Sequence, residues 1–146
     1  MLFRSSDYLE NKLVDLTLRG QAFTAPATLY VSLHTAATTD AGGGTEVSGG
    51  SYARVAVTAS LANFAGTQGA GTTVASSGTG GATSNNGTIT FPAPTASWGT
   101  VTNFGIWDAS TAGNLLFHGA LTTSKTINNG DAAPSFAAAA LTLTFA

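Results

Sequence analysis

Between Val55 and Trp107 the chain contains no Lys, Arg, Asp or Glu, and it contains no cysteine anywhere. Each absence excludes something. Without cysteine there are no disulfide staples and no thiol chemistry. Without charge over roughly a third of the chain, the usual means of keeping a soluble protein apart from its neighbours is missing there. So are the ionisable groups on which a reacting centre draws. Gly, Ala, Thr and Ser fill the gap. Such a chain is expected to pack against something, as a structural or assembly protein rather than a catalyst.

Other absences narrow the partners. No apolar run approaches the ~20 residues of a membrane helix. The N-terminus carries Arg4, Asp7, Glu10 and Lys12 and lacks the continuous apolar stretch of a signal peptide. The five cations, Arg4, Lys12, Arg19, Arg54 and Lys125, are widely scattered. Tracking a phosphate backbone needs them clustered, so neither nucleic acid nor membrane is an expected partner. The expectation is a soluble protein that folds in the cytoplasm of the cell that makes it.

What is present is a chain of 146 residues with net charge −2, 43% apolar, with eight Phe and two Trp among its few large apolar side chains. This length suits one domain spanning 1–146 and permits a real core without staples. One helix is expected over 6–20. Ser6 or Asp7 can cap it, Leu9, Leu13 and Leu16 fall on one face, Arg19 suits the negative end, and Gly20 is the expected stop. Beyond Gly20 the pattern is β. Leu29, Val31 and Leu33 alternate within a strand over 27–34. Further strands are expected at 52–58 (Val55 and Val57 inward, Arg54 outward), 88–91, 97–107, 115–121 and 136–145. Trp98, Phe104 and Ile106 share a parity that Val101 breaks, which a bulge near Asn103 would reconcile. Residues 66–87 form a long uncharged Gly/Ser/Thr-rich loop, expected to lie against another chain or to form a polar tip. Asn86-Gly87-Thr88 reads as a hairpin turn, and Gly113-Asn114 and Asn128-Asn129-Gly130 as further turns. The sum is a mainly β fold, an antiparallel β-sandwich or jelly-roll-like domain with one N-terminal α-helix.

No constellation carries catalysis, a cofactor or a metal. The two histidines, His34 and His118, lack a third ligand at a recognisable spacing. No G-x-S-x-G elbow is present. Asp108 and Asp131 lie in turns, where a carboxylate ordinarily accepts backbone N–H bonds. The glycine clusters at 42–44 and 49–50 have no lysine beside them and precede a strand, unlike a phosphate loop. The rings of Tyr30, Tyr52, Trp98 and Trp107 could stack on a sugar, against the plainer reading as core or intersubunit packing. With the helix face of Leu9, Leu13 and Leu16, the side chains of Tyr30, Tyr52 and Trp107 are the candidate interface.

Three segments carry a resemblance. They are Tyr8-Leu9-Glu10-Asn11-Lys12-Leu13 through Thr28-Leu29-Tyr30-Val31-Ser32-Leu33-His34-Thr35, then Glu46-Val47-Ser48-Gly49-Gly50-Ser51-Tyr52-Ala53-Arg54, then Asn103-Phe104-Gly105-Ile106-Trp107-Asp108-Ala109 with Gly113 to Leu121. In that order they resemble a family of small tailed-bacteriophage virion proteins, usually labelled tail fibre or minor structural proteins. The resemblance implies a non-catalytic virion protein assembled in host cytoplasm, docking as a two-fold or three-fold homo-oligomer on other phage proteins of the tail or the major capsid shell. It implies a tail or fibre-associated role. A capsid decoration (cement) protein and a carbohydrate-binding module for host glycans are the alternatives.

Overall fold

Residues 3–145 are described by the computed structural model. Their elements run β1 (Phe3–Ser5), α1 (Asp7–Leu18), β2 (Thr28–His34), β3 (Val55–Thr58), β4 (Ala82–Ser84), β5 (Ile89–Thr90), β6 (Gly99–Trp107), β7 (Leu115–Ile127), β8 (Ser135–Phe136) and β9 (Thr142–Thr144). One antiparallel sheet has the order β1-β7-β6-β2-β3, and two short antiparallel pairs, β4–β9 and β5–β8, stand apart from it. Strict alternation decides what each face carries. In register, Leu33 meets Phe104 and Val31 meets Ile106, and Val55 and Val57 pair with Val31 and Leu29. These side chains meet Ile89, Phe136 and Leu143 from the short pairs, and Phe91 and Leu141 beside them, in one core. The architecture is therefore mainly β and sandwich-like, with one helix near the N-terminus.

The parity conflict in the sixth strand resolves through a bulge. Val101 pairs with Lys125, but Asn103 pairs with Ala120, so β7 runs through five residues where β6 runs through two. The slip lets Val101 and Phe104 both face inward, at 1% and 0% exposure. It also explains why β7 runs six residues past the expected Leu121. Its second half is Thr- and Ser-rich and mostly exposed, held by backbone pairing to Gly99, Thr100 and Val101 and by Ile127, which is 2% exposed in the core.

Two expectations from local pattern fail for one physical reason. The strand over 136–145 is broken into β8 and β9 by a turn with Ala139 at φ 62°. Asn86-Gly87-Thr88 is no hairpin, because β4 pairs with β9 and β5 with β8. Asn85 organises both departures. Its buried side chain donates to the carbonyls of Gly87 and Ala137 and accepts from the Leu141 amide at 2.9 Å. A buried amide that satisfies three backbone groups overrides the local turn preference. Within 66–87, the short strand β4 replaces part of the expected loop.

The helix is shorter than 6–20 and is capped by Ser6, whose hydroxyl accepts from the Leu9 amide at 3.2 Å. The same hydroxyl donates to the Leu115 carbonyl, which ties the helix start to β7. Arg19 sits at the C-cap and pairs with Asp15 at 3.0 Å, and Gly20 follows at φ 66°.

Candidate functional site

The second face of the five-stranded sheet carries polar side chains. Ser32 and His34 on β2, Asn103 and Trp107 on β6, and His118 on β7 share it by register. Parts of the segment from Thr35 to Arg54 cover this face, Thr38 and Asp40 at His118 and Arg54 at Trp107, while Glu46 pairs with His34 along the edge of β2 and Val47 joins the main core. Under it lies a connected polar group. Trp107 donates its indole N–H to Ser32 Oγ at 2.8 Å, and Ser32 Oγ lies 2.8 Å from His34 Nε2. Gly105 makes room for this contact, since a Cβ there would lie 2.7 Å from Ser32 Oγ and 2.8 Å from Trp107 Nε1. The His34 and Trp107 rings stack, 6.3 Å apart and 15° from parallel.

Arg54 closes the group. Strand parity points it outward, but its side chain is only 6% exposed. Its guanidinium makes a two-pronged contact with Glu46 at 2.8 Å, lies 4.0 Å over the Trp107 ring, and donates to the carbonyls of Ala109 and Ala112. A planar fork of five donors can serve all of these at once, which a lysine could not. Parity alone misses this, because Arg54 precedes β3 and its partners come from two distant loops. Tyr52 completes the arrangement. Its hydroxyl donates to Glu46 Oε1 at 2.9 Å and accepts from the Leu33 amide at 3.0 Å.

The electrostatics follow from burial. His34 is 1% exposed and its Nδ1 has no hydrogen-bond partner. Burial pushes its pKa from 6.5 down to about 4, with the Arg54 charge acting the same way and Glu46 opposing. Burial alone would raise Glu46, but hydrogen bonds from Arg54 and Tyr52 outweigh it and hold the carboxyl below its usual range. Burial pushes the Tyr52 phenol up. Apart from His34 Nδ1, the polar atoms of this group bond to one another and to the loop, which they hold to the sheet.

A second polar cluster lies nearer β1. His118, 4% exposed, has Thr38 Oγ1 2.8 Å from Nδ1 and Asp40 Oδ1 3.0 Å from Nε2, with Arg4 4.0 Å from the same carboxylate. The contact ties the loop to β7, and Thr38 and His118, both buried, border a pocket with Arg4, Asn103 and Ala120. Among the described residues no group of three His, Cys, Asp or Glu could hold a metal ion. Asp108 accepts from the backbone and side chain of Asn114, and Asp131 accepts from the Asn128 amide. Each carboxylate is engaged within its own turn.

The candidate interface residues separate. Leu9 is buried, 7% exposed, so the helix face expected around it is split. Leu13 and Leu16 are exposed, together with Val14 and Leu18, which the three-leucine pattern overlooks. Tyr52 stacks on Phe91 and meets Trp98 edge-on. Trp98 is buried and Trp107 carries Arg54 on its ring, so these rings offer no shared flat platform to a sugar. Tyr30 stays half-buried on the sheet's second face, opposite Ala56. The loop at 66–87 is held by its own bonds. Asn86 donates to the carbonyls of Ala62 and Thr72, and Gln68 to that of Ala75. Residues 73–80 are exposed throughout. No helix is long and apolar enough to cross a membrane among the described residues.

Comparison with known proteins identifies the family. No curated protein matches the chain. A family model described as "Podophage GP4 fiber I protein gp80" matches residues 4–144, nearly the whole sequence. It takes in the helix, the five-stranded sheet and both polar clusters, and the chain thus belongs to this family of phage fibre structural proteins.

Proposed function

We propose that this protein is a non-catalytic structural subunit of a podophage fibre, located on the virion, that docks as a homo-oligomer on other tail proteins. The observation that carries the docking role is the outer side of α1. Leu13, Val14, Leu16 and Leu18 are all exposed on one 12-residue helix. An isolated surface leucine needs no explanation, but Leu13 with Leu16 and Val14 with Leu18 stand three and four residues apart and make two exposed apolar pairs that a partner would cover. The family supports a fibre role. The polar groups of the sheet's second face support a passive one, since they bond to each other and to loop carbonyls. Assembly in the host cytoplasm accompanies the reading.

The test is localisation with a matched variant. Cryo-EM of purified particles should place a few copies at the tail. Particles complemented with a Leu13→Ser, Leu16→Ser variant should lose those copies although the variant folds normally in solution. Many copies spread over the icosahedral shell would overturn the fibre role in favour of capsid cement.

A further inference from the structure

We propose that the second face of the sheet holds a binding site for a small hydroxycarboxylate, in the pocket bordered by Asn103, Arg4 and Thr38. The site goes beyond the fibre role proposed above and does not depend on it.

Strand alternation builds the pocket. His118 stands opposite Arg4, and Ala120 stands opposite Asn103, so these four side chains share the second face of adjacent strands. Gly119 and Ala120 fill little space there, and Thr38 reaches in from the loop. Together these six residues line a cavity of about 180 Å³. At ~30 Å³ per water-sized atom, that is room for roughly six non-hydrogen atoms.

Asn103 points to a ligand, and in this it departs from the rest of the face. It is only 8% exposed. Its Oδ1 accepts from the Thr102 hydroxyl at 2.9 Å, whereas its Nδ2 has no hydrogen-bond partner among the described residues. Nor is that nitrogen sealed in, since the buried side-chain atom left without a partner is His34 Nδ1. Nδ2 therefore opens on the pocket with two donors unused. A buried amide kept only for stability has its donors paired, as Asn85 does with the carbonyls of Gly87 and Ala137.

Arg4 supplies the charge. Its side chain is largely exposed, and the Asp40 carboxylate is 4.0 Å away, too far for a hydrogen bond. None of the residues lining the pocket is acidic. A guanidinium fork beside an amide with free N–H groups matches a carboxylate. A doubly charged phosphate would outweigh the single cation and be repelled by Asp40. Thr38 supplies the second feature. Asp40 accepts from His118 Nε2–H, so Nδ1 is left to accept the Thr38 hydroxyl hydrogen. Thr38 Oγ1 then keeps lone pairs but no free hydrogen, and it can accept a hydroxyl from a ligand. A small acid with a neighbouring hydroxyl, such as lactate, uses all three groups.

Titration of the isotope-labelled full chain, followed by NMR in chloride-free buffer, tests this. Lactate should shift the Asn103 side-chain amide and the Gly119 and Ala120 backbone amides saturably, in the millimolar range, and should bind more tightly than acetate or phosphate. Arg4→Gln should weaken lactate binding about tenfold by removing a charge-assisted bond. Asn103→Asp keeps the shape but sets a like charge in the site, and should abolish binding. Ala120→Leu, at an exposed position, should block the cavity without altering its polar groups, and it decides the question if the Asn103 variant does not fold. The absence of a saturable shift in the wild type would overturn the proposal, as would lactate binding that Arg4→Gln and Ala120→Leu leave intact. Acetate or phosphate binding as tightly as lactate would overturn the assignment to a hydroxycarboxylate.

Discussion

Lowering the pH from 7 to 4 charges His34 in the unfolded chain while the folded chain still holds it neutral. The imidazole is buried beside Arg54, Trp107 and Glu46, and its pKa falls from 6.5 to about 4. Below 6.5 the unfolded state therefore binds a proton that the folded state refuses. Stability is complete above that value, declines as the pH falls, and levels once the folded group also titrates near 4. The interval corresponds to about 3 kcal/mol, a large share of the stability of a small domain. Glu46 acts in the same direction at lower pH, because its carboxyl is held below the usual range when folded. A single acid curve would thus mix the two. The clean measurement is the difference between the wild type and His34→Gln, whose side chain does not titrate. Urea unfolding followed by tryptophan fluorescence, at fixed ionic strength, gives both free energies at each pH. The difference should change by about 3 kcal/mol between pH 7 and 4, in favour of the glutamine variant as the medium becomes acid. A difference that stays flat would refute the assignment of His34 as a buried neutral histidine.

Three further outcomes follow from the same geometry. Arg54→Ala should lower unfolding free energy by about 3–5 kcal/mol, because it strands Glu46 and two loop carbonyls; the Glu46→Gln, Arg54→Met double variant should be less damaged than the sum of its singles, as measured by a urea double-mutant cycle. Gly105→Ala should break the Trp107–Ser32 hydrogen bond, costing about 1–3 kcal/mol in urea unfolding and shifting the tryptophan emission. Leu9→Ala should cost about 2–5 kcal/mol in thermal or urea unfolding, whereas Leu16→Ser should stay within about 0.5 kcal/mol of wild type; equal costs would mean that α1 is seated differently.

Much of the sheet was legible because alternation is a local signal. Leu29, Val31 and Leu33 announced β2, and Phe104 and Ile106 the inward face of β6. The helix start at Ser6 or Asp7, which the structure settles as a Ser6 cap, and the stop at Gly20 were equally local. Burial along the helix was legible only in part. Leu9, Leu13 and Leu16 lie on one helical stripe, but periodicity cannot say how far that stripe reaches under the sheet. Arg54 shows the limit most clearly. A charged residue beside a strand reads as solvent-facing, and only the fold brings Glu46, Trp107 and the Ala109–Ala112 turn around it.

The sequence by itself determined the mainly β architecture, the single capped helix, the absence of metal-ligand spacing and the uncharged stretch that begins at Val55. These depend on neighbours within a few positions. Tertiary structure alone decided that Asn85 would break the last strand and cancel a hairpin, because its partners are up to 56 residues away. It alone decided that the same uncharged stretch would serve three ends: buried strands at the centre of the sheet, a self-bonded loop at 66–87, and the exposed edge strand β3. Burial, local satisfaction and exposure of backbone groups are properties of the assembled fold, and composition cannot tell them apart.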